Sequence, residues 1–100
     1  MQVREFMLES GVFPNILGFN YLIRAVEIVK KSGEVSTINK VYPQIAQEFK
    51  TTPIRVERGI RYVRDMIPYK QFKKHGFAKV PTSKQLIYAF AFRRSGGKHE

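Results

Sequence analysis

Read for hydrophobic and polar positions, the chain falls into short runs of helical period separated by breakers. Val3, Phe6, Met7 and Leu8 stand at helical spacing, and "SGVFPN" ends this first helix with Gly11 and Pro14. A second helix is predicted from about Leu17 to Lys31, with Leu22, Ala25, Val26 and Val29 on one apolar stripe and "KKSG" at its C-terminus. "EVST" then offers Ser36 or Thr37 as a cap for "INKVYPQIAQEF". Pro43 cannot donate to the carbonyl four residues back, so it either kinks this segment or marks the true start of its helix. Thr52 as cap and Pro53 in the first position open the next helix, which Pro68 stops near Ile67. "PYKQFKKHGFAKV" is basic and aromatic and contains Gly76; it reads as an irregular connection with at most one helical turn. A last helix opens at "PTSKQ", where Thr82 and Gln85 can form a capping box, and runs to Arg93 or Arg94. There is no internal repeat and no strand period. The pattern predicts an all-α fold of about five helices with a helix-turn-helix unit, a single small domain over residues 1–94 and a flexible tail over 95–100.

One of these helices carries an unusual charge pattern. "TTPIRVERGIRYVRD" holds Arg55, Arg58, Arg61 and Arg64 against Glu57 and Asp65. At about 100° per residue from Arg55, the residues Val56, Gly59, Ile60, Val63 and Ile67 cluster between roughly 40° and 140°, a core face. Arg58, Arg61, Ile54 and Asp65 lie on the opposite side, with Arg55 and Arg64 on the flanks. Upstream stand Ile45, Ala46 and Phe49, then a short turn, then Val56 and Ile60. Helix-turn-helix units need this arrangement: a small residue where the helices approach, an apolar residue before the turn, and two that anchor the second helix across the first. Ala46 and Gly59 suit any tightly packed helical hairpin equally. Lys50 stands where glycine is common, so the turn either holds a left-handed lysine or has another shape.

The exposed N-terminal half of such a second helix is free to enter a major groove, where Arg bonds guanine, an acid accepts from cytosine and an aliphatic group touches a thymine methyl. Arg55 and Arg58 are the first choices for base contact, with Glu57 and Ile54 as contributors. Arg61 and Arg64, farther along, are assigned to phosphates, together with Thr52 at the helix start and Lys70, Lys73 and Lys74 of the basic connection. The plainer reading of Arg61 is a surface pair with Glu57 four residues before it, worth a few tenths of a kcal/mol. Arg58 has no acid at three or four residues' distance. Tyr69, Phe72 and Phe77 suit a small core better than a platform for single-stranded bases. In the last helix Leu86, Ile87, Phe90 and Phe92 spread around much of the circumference, which fits core packing by default and a homodimer contact as the alternative.

Composition narrows the function classes. The chain has 100 residues, 43% of them apolar, enough for one core. It has no cysteine, which excludes a disulfide framework and a thiolate metal site. No apolar run approaches the roughly 20 residues that cross a bilayer, and "MQVREFMLESG" has acids where a signal peptide is apolar, so a cytoplasmic, nucleoid-associated protein is expected. The net charge of +10 is uneven: residues 1–52 carry +1 and residues 53–100 carry +9. Such asymmetry points to a polyanion, most often nucleic acid. A generally basic, solubilising surface is the plainer alternative, and Arg93, Arg94 and Lys98 fit either. His75 and His99 have no carboxylates at metal-ligand spacing, and there is no phosphate loop or nucleophile elbow. Neither an enzyme nor a cofactor is expected.

The stretches "ILGFNYLIRAVEIV", "INKVYPQIAQEFKTTPIRVERGIRYV" and "PTSKQLIYAF" together resemble the C-terminal effector domain of the stage zero sporulation protein A regulators. The resemblance runs from about Gly11 to Arg64 and again from Pro81 to Phe92; "YPQIAQEFKTT" followed by "RVERGIR" is its most specific part. It implies an all-helical module whose helix-turn-helix reads a short DNA box, commonly as a tandem dimer, and contacts the RNA polymerase sigma subunit. By the same resemblance Arg55, Glu57, Arg58 and Arg61 correspond to recognition-helix residues that face DNA. The family has a longer segment, with an additional short helix, where this chain has "MIPYKQFKKHGFAKV". No phosphoacceptor receiver precedes Met1, which leaves an excised effector domain and a stand-alone protein both open. The expected function is a sequence-specific regulator of transcription that binds double-stranded DNA and has no receiver of its own. The alternative is a helical protein-interaction module, such as an antagonist of a full-length sporulation regulator. An RNA-binding helical domain would draw on the same charge but lacks a stacking platform.

Overall fold

Six helices account for most of residues 1–34 and 37–92, which the computed structural model describes. They are α1 (Val3–Glu9), α2 (Leu17–Ser32), α3 (Ile38–Glu48), α4 (Pro53–Met66), α5 (Tyr69–Lys74) and α6 (Ser83–Phe92), with no strand among the described residues. The longest, α2, is the axis of the fold: α1, α3, α4 and α6 all pack against it. Its predicted stripe of Leu22, Ala25, Val26 and Val29 is buried, and left-handed Gly33 closes it with an N–H to the Val29 carbonyl at 2.9 Å. Phe6 and Met7 of α1, Ile45 of α3, Val56, Ile60 and Val63 of α4, and Leu86 and Ile87 of α6 complete one continuous core.

Helices α2 and α4 approach each other closely at two glycines. A Cβ on Gly18 would stand 2.1 Å from the Gly59 carbonyl oxygen and 2.6 Å from Val63 Cγ2. Gly59 therefore serves the crossing with α2, where the Tyr21 ring also covers it, rather than a hairpin with α3. Only side chains without a Cβ allow this spacing, and it fixes how α4 leans on the scaffold.

Two expectations change. Residues 69–74 form a helix of six residues where at most one turn was expected, which makes six helices among the described residues. Tertiary packing supplies the reason: Phe72 is fully buried, 5.6 Å from the Phe6 ring and 5.8 Å from Phe77, and holds the segment on α1. Of the two alternatives for Pro43, the structure removes the second: α3 begins at Ile38 and continues through the proline, which is an interior residue of the helix. Burial of Ile38 and Val41 anchors the turns before the proline and outweighs the one missing backbone bond. Thr37 stands at the cap position of α3 without a side-chain cap bond; its hydroxyl meets that of Ser32. The predicted capping box of α6 is present, with Thr82 N donating to Gln85 Oε1 at 3.0 Å and Gln85 N to Thr82 Oγ1 at 3.1 Å. The alternative cap Ser36, the predicted end of the last helix at Arg93 or Arg94, and the tail over 95–100 lie outside the described residues.

Candidate nucleic-acid interface

The connection between α3 and α4 is only residues 49–52, and its backbone is fully specified. Phe49 N bonds the Ile45 carbonyl at 2.9 Å, Lys50 takes a left-handed φ of 55°, and Thr51 N returns to the Ala46 carbonyl at 2.8 Å. Lys50 thus adopts the left-handed alternative, at a cost a glycine would avoid. Thr52 then caps α4, its Oγ1 accepting from Arg55 N at 3.2 Å, with Pro53 in the first position. Phe49 packs edge-on against Tyr21 at 5.2 Å.

A charged brace supports this turn from α2. Arg24 Nε and Nη2 donate to the two carboxylate oxygens of Glu48 at 2.8 and 2.9 Å, and Gln44 Nε2 adds a bond at 3.2 Å. The bond from Arg24, then that from Gln44, hold the Glu48 carboxyl down to about 2, and Glu48 in turn raises the Arg24 guanidinium. Glu48 is the last residue of α3, so the brace sets the angle at which the chain enters the turn.

On α4 itself, Val56, Ile60 and Val63 face the core and the opposite face is open. Ile54 is 64% exposed, and Arg55, Arg58 and Arg61 are exposed beside it. The guanidinium groups of Arg55 and Arg58 have no ion-pair partner among the described residues. Arg61 Nη2 stands 3.7 Å from Glu57 Oε1, the loose surface pair foreseen from the spacing. Glu57 is half-buried at the edge of this face and lies near Tyr42, whose hydroxyl pKa is pushed up to about 12, first by burial and then by the Glu57 carboxylate. Arg64 bends to its neighbour Asp65, with Nη2 at 2.9 Å from Oδ1.

The structure therefore brings Thr52, Ile54, Arg55, Glu57, Arg58 and Arg61 to one end and side of α4. Lys70, Lys73 and Lys74 are exposed on α5, which follows Pro68 at the C-terminal end of α4, a helix about 21 Å long. Of the aromatics between them, Phe72 is buried and Phe77 half-buried, while Tyr69 is 44% exposed and donates to the Ala78 carbonyl at 2.8 Å. His75 ends α5 with its ring edge-on to Phe6 at 5.0 Å. No group of three or more metal-ligating side chains occurs among the described residues, and no helix there is long and apolar enough to cross a membrane.

Two features escaped the sequence. Tyr62, 60% exposed, lies on the arginine face between Arg58 and Arg55; the same angular projection places it there, at roughly 340°. The Arg24–Glu48 brace joins residues 24 apart, and only the packing of α2 on α3 brings them together.

Residues 3–82 match the family described as sporulation initiation factor Spo0A C terminal. The matched span takes in α1 through α5 and ends at Thr82, so it contains the whole of α3, the turn and α4, while α6 lies beyond it. An all-helical scaffold that presents an arginine-rich helix is consistent with that match, and the chain belongs to this family, the DNA-binding effector domain of a sporulation regulator.

Proposed function

We propose that the chain is a sequence-specific transcription regulator that places the N-terminal half of α4 in the major groove of double-stranded DNA as the second helix of a helix-turn-helix. The supporting observation is the open face of α4, where Arg55 and Arg58 stand exposed, without ion partners among the described residues, beside exposed Ile54. A helix that needed these arginines for folding would pair or bury them. Arg55 and Arg58 read base edges, Ile54 and Glu57 add apolar and acceptor contacts, and Thr52, Arg61 and Arg64 meet phosphates. Lys70, Lys73 and Lys74 add backbone contacts where the duplex continues past the end of α4. Arg64 reaches a phosphate only by leaving Asp65.

Selection of duplexes from a randomised pool tests this. The native chain should enrich a short box, and Arg58→Ala should blur one position of it at a cost of about 1 to 3 kcal/mol. Lys73→Ala should weaken all duplexes alike and lower the salt dependence by about one phosphate contact. Equal losses from both changes on every sequence would contradict the assigned roles.

A further inference from the structure

Along the exposed side of α4, Ile54, Arg58 and Tyr62 recur every fourth residue and form one line. The first two have roles in the reading above. Tyr62 has none, and folding does not explain it. Its side chain is 60% exposed, and its hydroxyl has no hydrogen-bond partner among the described residues. A tyrosine is also a poorer helix former than alanine.

We infer that Tyr62 is a DNA-backbone contact whose phenolic hydroxyl donates to a phosphate oxygen at the rim of the groove that α4 enters. The inference rests on the DNA reading proposed above and extends it by one residue. Position favours a phosphate over a base. Tyr62 lies about 12 Å along the helix axis from Ile54, comparable with the width of the major groove, so a helix whose first turns meet base edges carries Tyr62 to the sugar-phosphate wall. Charge favours a neutral donor at this place. Asp65 follows three residues later on the same face, its side chain 61% exposed, and already draws Arg64 to 2.9 Å. An arginine or lysine at 62 would be drawn toward that carboxylate at helical spacing, whereas a phenol keeps its proton for an outside acceptor. Asp65 itself repels phosphate and marks where the DNA-facing surface of α4 ends, one turn past Tyr62.

The test is Tyr62→Phe, which removes the hydroxyl and keeps the ring, titrated against a duplex recovered from the selection and against a shuffled duplex. Affinity should fall roughly tenfold on both, because a hydrogen bond to a charged acceptor is lost without regard to sequence. The slope of log affinity against log salt should stay at the native value, because no charge is removed; Arg61→Ala, measured beside it, should lower that slope by about 0.9. Unchanged melting of Tyr62→Phe keeps the comparison free of folding effects. Native affinity in Tyr62→Phe overturns the inference, as does a loss confined to one base-pair position, which would make Tyr62 a base reader. Failure of the native chain to bind either duplex overturns the DNA reading, and this inference with it, before any variant is measured.

Discussion

Glu48 shows how much of the site is set by single side chains. Its carboxyl sits at about 2 in the folded chain, below the ordinary 4.5, because Arg24 and Gln44 bond its charged form. A depressed carboxylate contributes stability that is present above its unfolded value and is lost as pH falls through the folded one. The native chain should therefore lose melting temperature between about pH 4.5 and 2, and Glu48→Gln should show a flatter acid limb in the same titration. Identical acid limbs in the two proteins would contradict the brace. None of this is legible in the sequence, because Arg24 and Glu48 are partners only after α2 and α3 have packed. Local chemistry is more legible: Thr52 as cap and the Thr82–Gln85 box are in place because each involves residues only three apart. The exposure of Arg55 and Arg58 follows from a period of 3.6 and a core stripe of Val56, Ile60 and Val63. Tyr62 projects to the same face, but it carries no charge to mark it as part of the basic surface.

Between elements, the pair that matters most is α2 and α4, held together at Gly18 and Gly59. A methyl on Gly18 meets a backbone carbonyl at 2.1 Å, which cannot move without moving α4. Gly18→Ala should cost about 3 kcal/mol in denaturant unfolding, the upper end of what overpacking does. Gly59→Ala meets the buried Tyr21 ring at 2.9 Å rather than a backbone atom and gains helix propensity; its net cost should be smaller, about 1 to 2 kcal/mol. Equal costs at the two sites would mean that the crossing is not the rigid feature described. The sequence suggested a close approach at Gly59 but assigned no partner to it, since periodicity identifies faces and not which faces meet. It also left Pro43 undecided and allowed the α5 segment at most one turn. In both places burial of a few side chains, Ile38 and Val41 in one and Phe72 in the other, overrides local preference.

At the scale of the whole molecule, the uneven charge acquires a layout. The first half of the chain, with net +1, supplies α1, α2 and α3, and the second half, with +9, supplies the arginine face of α4 and the lysines of α5. A Cα radius of gyration of 12.9 Å is that of one compact domain of this length, so both basic groups ride on a single scaffold rather than on a separate arm. The all-helical class and the family were legible because the stretch from α3 through the turn to α4 is continuous in sequence and short-range in structure. The arrangement of the two basic groups was not, because it depends on α5 docking onto α1 through Phe72. The central claim is that the open face of α4 is the surface that meets DNA. Backbone amide shifts recorded while the native chain is titrated with a selected duplex test it directly. The account predicts the largest changes in residues 51–62, smaller ones in 70–74, and none in the buried residues of α6. Shifts concentrated in α6, with 51–62 unmoved, would contradict it.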